Sequence, residues 1–136
     1  MKKKVKTYFI SGHLDISQEE FKNKYHEKIN DALKENGHFV VGDARGTDTL
    51  AQTYLFGKTK NVTVYHIKTS PLNNVGNFDT KGGYKTQTKK DAAMTNASDI
   101  DIAWVRSEEE QKKLYGKKYK KRLSGTAKNL RRRLIG

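Results

Sequence analysis

The sequence predicts a three-layer α/β sandwich built on a mainly parallel sheet of four to five strands. Two observations carry this. Short β-branched and aromatic runs alternate with segments whose apolar residues recur at helical spacing, the pattern of right-handed βαβ crossovers. Small-residue turns follow strands or open helices, where such a sheet would gather them at one edge.

Val5–Ser11 is the first predicted strand, and it ends in the turn Ser11-Gly12-His13. Ser17 with Glu20 three residues on forms a capping box for a helix whose core face is Phe21, Tyr25, Ile29 and Ala32/Leu33. Gly37 stops that helix. His38–Gly42 is the second strand. It feeds the stretch Val40 to Ala51, which reads as strand end, tight turn and helix start. Gly42 and Gly46 bracket the turn, and Thr47 or Asp48 is placed to cap the following helix. That helix runs to about Leu55, with Leu50, Ala51, Tyr54 and Leu55 inward. Asn61–Ile67 is a third strand. Lys68–Lys85 reads as a long loop, holding the single proline, Pro71, and the pair Gly82-Gly83. Thr86–Ala97 is a polar helix and Ile100–Val105 a fourth strand. A second loop precedes Ser124-Gly125-Thr126, which opens a last helix with apolar Ala127, Leu130, Leu134 and Ile135.

The length of 136 residues fits one domain, 1–136, with basic segments at 1–6 and 112–136. The formal net charge of +13 is concentrated there. Residues 2–6 hold four lysines and no acid. Residues 106–136 hold twelve Lys/Arg against three Glu, and the body between is balanced. Such ends attract polyanions, or stand as solvated tails that keep the protein soluble. No apolar run approaches the roughly 20 residues of a membrane helix, and Met1–Lys4 lacks the apolar region of a signal peptide. The expectation is a cytoplasmic protein without membrane association. With no cysteine, disulfides, thiolate zinc sites and cysteine catalysis are excluded. The four histidines (13, 26, 38, 66) show no metal-ligand spacing, so neither a metal nor a cofactor is expected.

The turn after the second strand is the leading candidate site. A helix N-terminus offers free N–H groups and a partial positive charge, which suit a phosphate. Arg45 adds a forked cation there, unless it pairs with Asp43 or Asp48. The alternative is a plain βα turn. Convergence of Ser11-Gly12-His13, Gly42–Asp48 and Ser124-Gly125-Thr126 on one edge favours the phosphate reading.

Gly42-Asp43-Ala44-Arg45-Gly46-Thr47-Asp48-Thr49-Leu50-Ala51 resembles the Gly-x-Ala-Arg-Gly-x-Asp-x-x-Ala signature of DprA-like proteins, part of the SLOG superfamily of Rossmann-like nucleotide binders that also holds the LOG-type phosphoribohydrolases. Lys90-Asp91, Ala97–Ala103 and Ser124-Gly125-Thr126 are similar to elements of nucleoside deoxyribosyltransferases and deoxynucleoside-phosphate N-hydrolases. The resemblance spans about residues 5–105 and 124–130. It implies a nucleoside monophosphate, ADP-ribose or NAD-like ligand, with phosphate on Gly42–Thr47 or Ser124–Thr126. Ser11, Gly12 and His13 would line the floor, and Asp91 or Asp48 would hold a ribose hydroxyl. It also implies homo-oligomerisation. The glutamate that glycosidase relatives use is replaced here by Lys128 and Asn129, and the LOG glutamate position is Leu50. Two activities therefore stand open: a sensor or sequestering module, or an N-glycosidic hydrolase with Asp48 or Asp91 in the carboxylate role. Tyr84 and Trp104 are candidates for a gate or a base-stacking face. The alternative function is a DprA-like nucleic-acid-binding accessory protein using its basic ends.

Overall fold

Period-two alternation decides which way each strand faces. In β1 (Thr7–Ser11), Tyr8 and Ile10 point to one face and Phe9 to the other. In β2 (His38–Val41), Phe39 and Val41 join the first set and Val40 the second. β3 (Val62–Ile67) adds Val62 and Val64 to the first and Tyr65 to the second. Both faces are therefore apolar, as a parallel sheet covered by helices on both sides requires.

The computed structural model describes residues 5–120 and 124–135. Lys2–Lys4, Lys121, Arg122 and the side chain of Ile135 lie outside the described residues. The sheet has five strands, all parallel, in the order β4-β3-β2-β1-β5. The chain moves outward from β1 through β2 and β3 to β4 (Asp79–Tyr84), then returns to place β5 (Ile100–Ala103) on the far side of β1. The reversal of strand order thus falls between β1 and β5.

Right-handed crossovers put α1 (Gln18–Lys34) and α2 (Thr47–Leu55) on one face. Phe21, Tyr25, Ile29 and Ala32 of α1, with Ala51 and Leu55 of α2, fill the larger core there. The return from β4 puts α3 (Gln87–Asn96) on the other face, where Met94 meets Phe9, Val40 and Tyr65. After β5 come α4 (Glu108–Tyr115), a 3-10 turn at Gly116–Lys118, and α5 (Gly125–Ile135), which packs on α3 and β5. The result is the Rossmann-like three-layer sandwich that the sequence predicts.

Three details differ from the sequence reading. The Lys68–Lys85 stretch is not all loop, because Asp79–Tyr84 forms edge strand β4. None of its six residues is buried, so it carries no hydrophobic signal. The loop before residue 124 likewise contains α4, none of whose residues is buried. Leu134, expected on the apolar face of α5, is 88% exposed. Among the described residues, no helix is long and apolar enough to cross a membrane.

Candidate functional site

The carboxyl ends of β1 and β2 are adjacent in the sheet, so the turns that follow them are neighbours. They are joined through His13, whose carbonyl accepts from the Thr47 amide at 3.1 Å and the Thr47 hydroxyl at 3.0 Å. Gly46 has φ +78°, and a Cβ there would strike the carbonyls of His13 and Leu14. Only glycine lets the two turns close on each other at this point.

Neither Thr47 nor Asp48 caps α2, contrary to the sequence expectation. The cap position is Gly46, which has no side chain to offer. By contrast, Ser17, Thr86 and Ser107 cap α1, α3 and α4, and Ser124 accepts from the Ala127 amide at the start of α5. Thr47 is instead spent on His13. Asp48 turns back so that its carboxylate accepts from the Ala44 amide at 3.1 Å. The first turn of α2 thus opens at the carboxyl edge without a side-chain cap. Arg45 is exposed beside it.

Gly42 is the second bare position. A Cβ there would lie 2.5 Å from the Asp48 carboxylate and 3.3 Å from Lys90 Nζ. Asp48 and Lys90 thus occupy the space that a side chain at position 42 would take. Lys90 is only 1% exposed, and its ammonium lies 3.4 Å from Asp43 Oδ1. The other Asp43 oxygen accepts from the Leu72 amide at 2.8 Å. Asp43 is therefore a brace between α3 and the loop after β3, and Gln52 reinforces it. Gln52 is fully buried and bonds to the Gly42 and Asn73 carbonyls and the Val75 amide.

Burial pushes the Asp48 carboxyl up to about 7, and nearby Asp91 and Asp43 push the same way. The Ala44 amide and Lys90 offset part of the shift. Burial also raises Asp91, against the pull of Lys90 and Arg132. At neutral pH Asp48 is thus divided between acid and carboxylate, and can donate or accept a hydrogen bond or move a proton. The stability consequence has a definite sign. The folded state keeps this proton up to about pH 7, whereas the unfolded chain releases it near 3.8. Stability therefore falls as pH rises through that window, by up to about 1.4 kcal/mol per pH unit for one group. Glu20, held at about 2 chiefly by Arg106, loses its contribution only below about pH 4.5. The denaturation midpoint should therefore be higher at pH 5.5 than at pH 8, and Asp48→Asn should flatten that difference.

The remaining sequence candidates separate into distinct places. The Ser11 hydroxyl is buried with no hydrogen-bond partner among the described residues. Ser11 points to the α3 face, as Phe9 does two residues earlier. A Cβ added at Gly12 would fall on the hydroxyls of Thr47 and Tyr25. His13 Nε2 accepts from the Arg106 amide at 2.9 Å, and its ring meets Trp104 edge-on. Trp104 packs against the larger core, with Lys24 and Arg106 near its face. Tyr84 stacks on Tyr65 in the outer part of the sheet, two strands away from β2. Near the end of α5, Arg133 reaches Ser98 and Asp101 at the amino side of β5. That helix therefore starts towards the carboxyl edge, with Gly125 exposed and Thr126 buried.

Lys90, Gln52, Arg106 and Tyr25 are the residues that sequence reasoning missed at this edge. Lys90 had a signal: it lies one helical turn before the buried Met94, on the same face of α3. The crevice between β1 and β5 is closed by protein groups. The Tyr25 hydroxyl donates to the Ser11 carbonyl at 2.6 Å and accepts from the Trp104 amide at 3.0 Å. The open part of the edge is therefore the start of α2, over β1 and β2. Two clefts lie elsewhere. One of about 340 Å³ lies beside β5 and α1, and one of about 420 Å³ lies between α1 and α2. Among the described residues, no group of three His, Asp or Glu could hold a metal ion. No protein-family model matches the chain, and searches of curated proteins and of solved structures find no significant match.

Proposed function

We propose that the chain binds a nucleotide or nucleotide-derived ligand, of nucleoside monophosphate, ADP-ribose or NAD-like type, at the carboxyl edge over β1 and β2. The observation that carries this is the uncapped first turn of α2, seated above bare Gly42 beside Arg45 and the Asp48–Lys90 group. The Asp48 and Thr49 amides, which remain after Thr47 N–H bonds to His13, and Arg45 supply an anion site. Asp48 and Asp91 supply hydrogen-bonding groups for sugar hydroxyls. This division also fits the resemblance of Gly42–Ala51 to the nucleotide-binding SLOG superfamily.

The reading extends to N-glycosidic chemistry as well as to sequestration. Cleavage of an N-glycosidic bond passes through a cationic sugar and needs an acid for the leaving base. Asp48, part protonated at neutral pH, fits the acid role, and Asp91, on which Lys90 and Arg132 pull against the upward push of burial, is the candidate for the stabilising carboxylate. Chromatography of products after incubation with candidate nucleotides separates turnover from binding alone.

The test of binding is a melting-temperature screen against nucleoside monophosphates, ADP-ribose and NAD. A ligand at 100 times its Kd adds about 2.7 kcal/mol, an upward shift of several degrees for a domain of this size. Arg45→Ala should abolish the shift while leaving the unliganded melt within about 0.5 kcal/mol, because Arg45 is exposed. A folded protein with no shift across the panel would overturn the reading.

Nucleic-acid binding by the C-terminal arginines has less support. Arg132 donates to Asn129 Oδ1 at 2.8 Å, and Arg133 is held by Asp101 and Ser98. Of the run Arg131–Arg133, only Arg131 is exposed, and the other two are half-buried.

A further inference from the structure

The long helix α1 has three working sides and one that the single chain does not use. Phe21, Tyr25, Ile29 and Ala32 face the sheet. On one flank, His26 and Asn30 meet Tyr54 of α2. On the other flank, helical spacing aligns Lys24, Lys28, Asp31 and Glu35, all exposed. This flank overhangs β5, the edge strand of the sheet. Lys28, Asp31 and Glu35 line the cleft of about 340 Å³ together with Ile100 and Ile102, and Lys24 Nζ lies 5.4 Å from the Trp104 ring centre.

The charges on this flank run against what a lone helix favours. Acids at the C-terminal end oppose the helix dipole. Lys24 with Lys28, and Asp31 with Glu35, are like charges one turn apart, which also costs stability. Glu35 meets the Tyr8 hydroxyl. Among the described residues, Lys28 and Asp31 form no ion pair. The edge of β5 is open as well. The Lys6 carbonyl accepts from the His38 amide of β2, so by alternation Thr7, Phe9 and Ser11 turn their backbone groups towards β5. Phe9 is level with Asp101, so the β5 groups that face β1 are those of Ile100 and Ile102. The N–H and C=O of Asp101 and Ala103 point outward, where no strand pairs with them among the described residues.

We propose that this surface takes a second copy of the chain, with the two β5 strands side by side and antiparallel about a two-fold axis at Ile102. A two-fold contact has to match itself. Turning α1 end for end does this, because Lys28 then lies opposite Asp31 of the second copy and Lys24 opposite its Glu35. Across the axis, Asp101 of each copy exchanges backbone hydrogen bonds with Ala103 of the other. Ile100, half-buried in one copy, meets the half-buried Trp104 of the second. Two open edges thereby become the middle of one continuous sheet. The carboxyl edges lie at opposite ends of that sheet, so the pairing stands or falls independently of the nucleotide reading.

The test is sedimentation equilibrium on the full chain at micromolar concentrations. The wild type should weigh twice the 15.5 kDa of one chain. Lys28→Asp and Asp31→Lys each set like charges opposite each other at both symmetry-related contacts, and each should weaken the dimer about a hundredfold. An equal mixture of these two variants should regain a dimer, since each copy then meets the opposite charge. Ala103→Pro removes an outward N–H, a position where an edge strand tolerates proline, and should give a folded monomer by circular dichroism. Lys34→Asp, on the outer side of α1, and Arg45→Ala should remain dimers. A monomeric wild type would overturn the proposal. So would a dimer that survives both single charge reversals, or a mixture of the two that stays monomeric.

Discussion

Arg133→Met should lower the unfolding free energy by about 2–3 kcal/mol, less than the roughly 3–5 kcal/mol of a fully buried pair because the Arg133 side chain is 24% exposed. Arg133 meets Asp101 with two parallel bonds, Nε to Oδ2 and Nη2 to Oδ1, both 3.0 Å. The same guanidinium donates to the Ser98 carbonyl at 2.7 Å, the Ser98 hydroxyl at 2.6 Å and the Thr95 carbonyl at 3.2 Å. It therefore ties α5 to β5 and satisfies carbonyls at the end of α3, where a cation is also favoured by the helix dipole. Asp101 has a side chain only 7% exposed, so truncation leaves a buried carboxylate without its partner. Arg131→Met, at an exposed position, should change stability by less than about 0.5 kcal/mol. The double replacement Arg133→Met with Asp101→Leu should recover much of the loss, since the stranded charge is gone. Urea denaturation of the four proteins measures this. Equal midpoints for Arg133→Met and Arg131→Met would contradict it.

Gly12→Ala should cost about 3 kcal/mol for a single added methyl group. Its backbone is not in the left-handed region, so strain in φ is not the cause. The cause is crowding: the new Cβ would fall on the Thr47 hydroxyl and the Tyr25 hydroxyl. Neither can step aside freely. Tyr25 is fully buried and bonds to Ser11 and Trp104, bridging β1 to the chain after β5. Thr47 is locked onto His13. The methyl therefore pries the first turn away from the start of α2, and ligand-induced stabilisation should fall with stability. Gly125→Ala is the matched control. A Cβ there meets nothing within 4 Å inside α5, so it should stabilise by about 0.5–1 kcal/mol. Opposite shifts in melting temperature for the two variants are expected, and a Gly12→Ala protein that melts like wild type would refute the packing argument.

The layered fold was legible because β1, β2, β3 and β5 declare themselves through apolar runs and α1 through its capping box and stripe. β4 was not, because Asp-Thr-Lys-Gly-Gly-Tyr has no buried residue and pairs only along one edge. Its partner supplies the order: the buried ring of His66 sits where a side chain at Gly82 would be. At the candidate site, the glycines and their bracketing were readable, since each marks a close approach. The cap was misassigned because Thr47 and Asp48 are both good capping residues, and only tertiary contacts divert them to His13 and Ala44. Arg106 and Arg133 read as members of a basic tail. Their carboxylate partners lie far off in sequence, at Asp15, Glu20 and Asp101, so no local spacing could have announced them.

The central claim is that a nucleotide phosphate sits at the start of α2. Amide chemical-shift mapping of the isotope-labelled protein, titrated with AMP and with ADP-ribose, tests it most directly. The account predicts the largest shifts at Gly42–Thr49, lost in Arg45→Ala. Shifts confined to the cleft between α1 and α2, or no shifts in a folded protein, would contradict it.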